Sequence, residues 1–228
     1  MSIFCRKAEE REQRDLLILS IAREILHEQG VAALSMQAVA DRTRYSKGTI
    51  YQHYASKEDL VARLMIECGR QLQALLGKAA AYDGSTRCRV ALGSAAFLIN
   101  ASRNASIVSL VPTVKSAAFM QKVSAEHATL ITQLDQKMLQ MITGIFDADP
   151  DLKRCSALQA AFGWWAMMWG LQEAIGKGWN LQELGIDNPL EYFNTSLQVY
   201  LDGLEIKPDL PWQDWRYVLG NAVKILEE

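Results

Sequence analysis

The stretch SMQAVADRTRYSKGTIYQHYASKEDL, residues 35–60, holds two short helical periods separated by a three-residue break. Ser35 stands at an N-cap position, where its hydroxyl can accept from the orphan N–H groups of a helix reaching Thr43. Arg44-Tyr45-Ser46 interrupts the period, and Lys47 to Tyr54 reads as a second short helix. Ser56, followed three residues later by Asp59, is a capping-box start. The helix it opens runs through Leu60, Leu64, Ile66 and Leu72 towards Leu76. Val39 and Ala40 give the first short helix an apolar, partly small face that permits close crossing. Ile50 and Tyr54, four apart, turn one side of the second inward. Upstream, Ile18, Ile21, Ala22, Ile25 and Leu26 form one apolar stripe, and Gly30 ends that helix. One long helix and two short ones joined by a tight turn make a helix-turn-helix arrangement.

Outward from this stretch, apolar residues keep the helical period and nowhere sustain a two-residue alternation. The spacing predicts helices near 85–102, 105–118, 122–147, 152–177, 189–204 and 212–227. Asp147 to Asp151, with Pro150, marks the clearest break, and Pro208 with Pro211 marks the last. The fold class expected is all-α, with residues 1–55 as a three-helix DNA-binding domain and 56–228 as a larger helical domain.

Composition narrows the function. The chain has 228 residues, half of them hydrophobic and 22% charged, which fits a folded globular protein and excludes a disordered one. No apolar run approaches the ~20 residues that span a bilayer, and the charged N-terminus has no secretory pattern. A cytoplasmic protein that makes no membrane contact is expected. The four cysteines and three histidines are scattered, so neither a disulfide framework nor a metal set has the right spacing. His27, near the end of the first helix, suits that C-terminus, and His127 is expected on the surface.

Net charge is only −2, yet residues 42–57 hold Arg42, Arg44, Lys47 and Lys57 without an acid. An arm before them carries Arg6, Lys7, Arg11 and Arg14. A local basic patch on a nearly neutral chain fits one docking surface. With Ile50 and Tyr54 turned inward, Lys47, Thr49, Tyr51, Gln52 and His53 remain to supply phosphate and base-edge contacts in a groove.

The run AVADRTRYSKGTIYQHYASKEDL resembles the DNA-binding signature of the TetR family of bacterial transcriptional regulators. Ser46 to Tyr51, His53-Tyr54, Ser56 to Glu58 and Leu60 match its pattern in order and without gaps. The likeness covers roughly residues 14–64. It implies that Thr49, Tyr51, His53 and Lys57 hold the DNA backbone, while Lys47, Gly48 and Gln52 face base edges and Gln37 reaches the groove beside them. Elementary chemistry agrees: Lys57 sits at a helix N-terminus, which favours phosphate, and Gln52 can pair bidentately with adenine. Arg44 departs from the pattern, since the family usually has glycine in this turn. A left-handed conformation there costs an arginine about 1–2 kcal/mol.

The resemblance also implies a homodimer on a palindromic operator, repression, which is the family default, and release by a small-molecule inducer bound in the second domain. The tract Ala160 to Leu171 is apolar all round, so its helix must be covered on several sides. Gly163, Ala166, Gly170 and Ala174 form a small-residue stripe, and Phe193, Leu197, Tyr200 and Leu201 give the next helix a matching face. These eight are the expected dimer interface. The expected pocket walls are Met65, Phe97, Met138, Met141, Trp165, Met168 and Trp169, adaptable side chains suited to a lipophilic ligand, with Asn100 and Arg103 as polar contacts. Two alternatives are a helix-turn-helix used only for protein interaction, and an all-α enzyme. The first would not call for Lys47, Thr49, Tyr51 and Lys57 on one outward face. The second lacks a phosphate loop, a metal motif or an evident nucleophile arrangement, so no catalytic residue, metal or cofactor is expected.

Overall fold

The computed structural model describes residues 3–176, 178–207 and 213–227, and among them there is no strand. The helices are α1 (Ile3–Gln29), α2 (Met36–Thr43), α3 (Lys47–His53), α4 (Lys57–Ala81) and α5 (Thr86–Arg103). Three short turns follow: α6 (Ala105–Val108), α7 (Val111–Val114) and α8 (Ala117–Met120). Then come α9 (Ala125–Asp147), α10 (Ala157–Gly176), α11 (Pro189–Gly203), α12 (Gln213–Gly220) and α13 (Ala222–Glu227). A 3₁₀ turn at Leu181–Leu184 precedes α11. The expected stop at Pro208 and Pro211 lies outside the described residues.

Local chemistry sets most boundaries. Gly30 ends α1 in the left-handed region at φ +77°, its N–H closing on Leu26 O at 3.1 Å. Ser35, Ser46 and Ser85 each cap the helix that follows by accepting from an N–H three residues on. The single helix expected over 105–118 is instead three. Pro112 has no N–H to extend a helix across it and sits in the first turn of α7, and Ser116 caps α8 afresh.

Packing divides the chain into two compact units: Met1–Cys68 with Ser106–Thr132, and Gly69–Ala105 with Gln133–Glu228. This differs from the expected division at 55/56. The first turns of α4 carry Leu60 and Leu64 into the same unit as the helix-turn-helix, and the 106–132 segment bonds to them. Ser56 Oγ donates to Lys122 O at 2.8 Å, and Lys122 Nζ pairs with Glu58.

The second unit is built around α5, which packs on α10, α12 and α13. Trp164 lies at its centre, 0% exposed, its edge-on neighbours Phe97 and Phe146 at 6.0 and 6.1 Å and its indole N–H donating to Ser94 Oγ at 3.0 Å. Arg87 is a buried cation on α5. It donates to Gln198 Oε1 at 2.7 Å, to Ile206 O and to the Asp202 carboxylate, so it ties the end of α11 to α5 where a helix C-terminus favours positive charge.

The faces of α10 and α11 are assigned differently from expectation. Phe193, Leu197 and Leu201 are buried in this unit's own core, and Tyr200 donates to Ala160 O at 2.8 Å. A Cβ on Gly163 would strike the Tyr200 ring, so this small residue serves packing of α10 on α11 within the chain. Ala166 and Gly170 are exposed, Ala174 is half-buried, and a Cβ on Gly170 would meet nothing within 4 Å. The outward face of α10 is apolar and mostly aromatic: Leu158, Phe162 (61% exposed) and Trp165 (41% exposed), continued by half-buried Trp169.

Candidate nucleic-acid interface

The helix-turn-helix is held from inside by side chains that reach zero or near-zero exposure: Ile18 and Ile25 of α1, Val39 and Ala40 of α2, Ile50 of α3 and Tyr54 just after it. Thr43, the last residue of α2, returns its hydroxyl to Val39 O at 2.8 Å. Arg44 then takes φ 58°, ψ 22°, the left-handed conformation that reverses the chain into α3. This is the position at which the sequence departs from glycine, and the strain is present. Arg44→Gly is therefore expected to stabilise the unit, by about 1 kcal/mol after the entropy of the freer unfolded glycine is counted. A lower midpoint in chemical denaturation would contradict it.

Ser46 caps α3, accepting from Thr49 N at 3.0 Å while its Oγ lies 2.9 Å from Thr49 Oγ1. The outward surface of α3 carries Lys47, Gly48, Tyr51 and Gln52, all exposed, with Thr49 half-buried beside them. The Lys47 ammonium lies 6.0 Å from the Tyr51 ring centroid. Gly48 presents bare backbone to solvent, its missing Cβ facing only Ser46 Oγ. Gln37 is exposed at the start of α2, with its amide on Asp41 Oδ1 at 2.7 Å. Lys57 opens α4 and donates to Val31 O at 2.9 Å.

His53 is placed differently from the rest. Its side chain is 7% exposed and its Nδ1 lies 3.5 Å from Asp15 Oδ1, so the ring faces α1 and not the outward surface. The same carboxylate accepts the Tyr54 hydroxyl at 2.5 Å. Burial, with the Asp15 hydrogen bond and charge behind it, pushes the Tyr54 phenol far above its ordinary range, so it stays a donor. His53 and Tyr54 thus lock the end of α3 to α1.

His127 also departs from expectation, being 13% exposed at its side chain and not a surface residue. Its Nδ1 lies 2.8 Å from Asp59 Oδ1, which accepts from Ser124 N at 2.9 Å, and its ring stacks near Tyr54. The capping box at Ser56 is therefore only half made. Asp59 N donates to Ser56 Oγ, but the Asp59 carboxylate turns to the 124–127 turn. Burial pushes the Asp59 carboxyl up. The hydrogen bonds from Ser124 and His127 outweigh it and hold the group below the ordinary carboxylate value. A depressed folded value contributes stability that is complete above the unfolded pKa and lost as pH falls through the folded one. The stability gap between the wild type and Asp59→Asn should accordingly be about 1–3 kcal/mol at neutral pH and shrink below about pH 4. A gap unchanged down to acid would break that link.

The residues expected around a ligand fall in several settings. Phe97 and Met168 are core, with Met138 and Met141 packed against it. Asn100 is buried, its side chain accepting from Asn104, and Arg103 pairs with Glu227 of α13. Trp165 and Trp169 stack on one another at 6.1 Å on the outer side of α10, away from Trp164 and Met168. Met65 is half-buried on α4, in the other unit. Among the described residues, no three His, Cys, Asp or Glu converge on a metal position, and no helix is long and apolar enough to cross a membrane.

The sequence profile described as bacterial regulatory proteins, tetR family, matches residues 18–64, which span the helix-turn-helix and the start of α4. Residues 18–64 are a tetR-family domain. Among curated relatives, the HTH-type transcriptional repressor Rv3405c of Mycobacterium tuberculosis is 32% identical over 73 residues, 32% of this chain and 39% of that protein. The HTH-type transcriptional regulator UidR of Escherichia coli is 40% identical over 50 residues, 22% of this chain and 26% of its own. The matched segment thus spans well under half the length of either relative. Solved structures extend the likeness of fold. A tetR-family regulatory protein from Rhodococcus RHA1 aligns over 82% of this chain and 95% of its own at TM-score 0.61 and 18% identity. FadR of Bacillus subtilis, solved with stearoyl-CoA, aligns over 82% and 98% at TM-score 0.58 and 17% identity.

Proposed function

We propose that this chain is a TetR-family transcriptional regulator that binds a palindromic DNA operator as a homodimer, acts as a repressor in the cytoplasm, and is released by a small lipophilic molecule. The observation that carries the reading is α3 itself: Ile50 and Tyr54 anchor it from within, while Lys47, Gly48, Tyr51 and Gln52 stand exposed together on its other side. That is the division a recognition helix needs between a packed face and a groove-reading face. In this reading Lys47, Gly48 and Gln52 face base edges, Thr49, Tyr51 and Lys57 meet phosphates, and Gln37 flanks them. His53, turned to Asp15, holds α3 in place. No catalytic role is assigned to any residue.

Two features support the dimer and the ligand. The outward stripe Leu158, Phe162, Trp165 and Trp169, at spacings of four, three and four, is a helical seam with large apolar side chains left in water. A second copy of the same helix would cover it. The lipophilic ligand is supported by the aromatic and methionine-rich second unit, and by the acyl-CoA held by the FadR structure of similar fold.

Selection of bound duplexes from a random library by the full chain tests the reading. A sequence with two-fold symmetry is expected, its half-sites about one helical turn apart. Gln52→Ala should change base preference, whereas Lys57→Ala should weaken all sequences alike and flatten the salt slope by about one unit. Failure to enrich any sequence would overturn it.

A further inference from the structure

The first turns of α1 extend past the body of their unit. Cys5 to Gln13 are all exposed, and the side-chain contacts of this stretch, Arg6 to Glu10 and Arg14 Nε to Glu10 O, lie within the helix. Further along, α1 meets α3. Arg14 and Leu17 line a groove of about 420 Å³ with Glu10, Gln13 and Tyr45, the residue just before the Ser46 cap. Asp15 bonds Tyr54, at the other end of α3. At 100° per residue these two contacts sit roughly 150° apart around α1, so α3 runs crosswise beneath it.

The stripe of α1 whose direction lies between these two contacts is Ile18, Ala22 and Ile25, all buried. The same stripe continues towards the N-terminus as Arg14, Arg11 and Lys7, spaced three and four apart, with the six side chains inside about 80° of arc. The buried part of the stripe is apolar, and from half-buried Arg14 to exposed Arg11 and Lys7 it is cationic. Glu9 and Glu12 lie on the opposite side of the helix. Lys7 and Arg11 have no ion-pair partner among the described residues.

We infer that the overhanging start of α1 is a second DNA-contacting element, whose Lys7, Arg11 and Arg14 grip the phosphate backbone beside the groove that α3 enters. This rests on the reading of α3 as a recognition helix. The direction midway between the two contacts at the ends of α3 leads, beyond the edge of α3, towards whatever lies under α3. A duplex there raises its phosphate ridge on each side of the groove, and long cationic side chains reaching down from the overhang match it in charge. Such contacts carry no base preference and lengthen the footprint.

Two duplexes test it: the sequence selected by the full chain extended by one helical turn at each end, and the same sequence trimmed to its selected base pairs. On the long duplex, the triple variant Lys7→Gln, Arg11→Gln, Arg14→Gln is expected to bind at least about tenfold more weakly, its salt slope lower by about two to three units per protomer. On the trimmed duplex it should bind like the wild type. Arg11→Glu, at an exposed position remote from the core, should reproduce part of the loss, and Glu9→Gln with Glu12→Gln should not. Unchanged affinity and slope on the long duplex would overturn the overhang contact, while a Gln52→Ala shift in base preference would leave α3 as the reader. Equal loss on both duplexes would overturn the flanking placement. Absence of any selected sequence would remove both readings together.

Discussion

Trp164→Ala is expected to destabilise the second unit by about 3–5 kcal/mol, a large share of the roughly 5–15 kcal/mol that holds an ordinary domain folded. The size follows from the site. The ring is wholly buried between Phe97 and Phe146 on α5 and α9, and its tip fills the space over Gly93, where a Cβ would come within 2.5 Å of the ring. Removing it opens a cavity that these helices cannot close without moving, and it strips Ser94 of its indole donor. Trp165→Ala, one residue on, should cost under about 1 kcal/mol, because that ring is already 41% exposed. Chemical denaturation of the two variants, followed by far-ultraviolet circular dichroism, checks the contrast. Similar losses would mean that the two faces of α10 are not divided as described.

The second large effect belongs to the outer face of the same helix. Phe162→Glu should convert the proposed dimer to monomer and lower operator affinity at least about 100-fold, since two linked half-site contacts become one. Phe162 lies in the middle of the seam, tilted against Trp165 at 5.8 Å and more exposed than any other seam residue. A carboxylate there loses its water when a partner helix docks, and the two-fold axis brings a second carboxylate towards it. Folding of the chain itself should be untouched. Sedimentation equilibrium reads the first outcome and a titration of the selected duplex the second. A dimer that survives the change would place the interface on another face.

The contrast between Trp164 and Trp165 also marks where sequence stops informing. A helix end is a local matter: a serine hydroxyl within reach of an N–H three residues away, or a glycine free to turn left-handed. Hence Ser35 and Gly30 delimit helices from sequence alone, and α2, the turn and α3 were legible to within a residue. The amphipathic stripe of α1 was legible for the same reason, because its polar residues fix which side is buried. The tract around Trp164 has no polar side, so its period carries no phase. Only the helices packed on α10 decide that Trp164 and Met168 go in while Phe162 and Trp165 stay out. The same holds for Phe193, Leu197 and Leu201, whose stripe was readable but whose partner, a helix of the same chain, was not.

Long-range polar contacts were equally beyond the sequence. Asp59 was legible as one half of a capping box, yet its carboxylate is taken by Ser124 and His127, more than sixty residues away. His53 belongs to the signature expected to meet DNA, yet Asp15 draws its ring inward. By itself the sequence determined an all-helical chain with a helix-turn-helix near its start, because caps, turn and period are properties of neighbouring residues. The tertiary structure decided which apolar faces are core and which polar groups pair, because burial and hydrogen bonding depend on what the rest of the chain brings alongside.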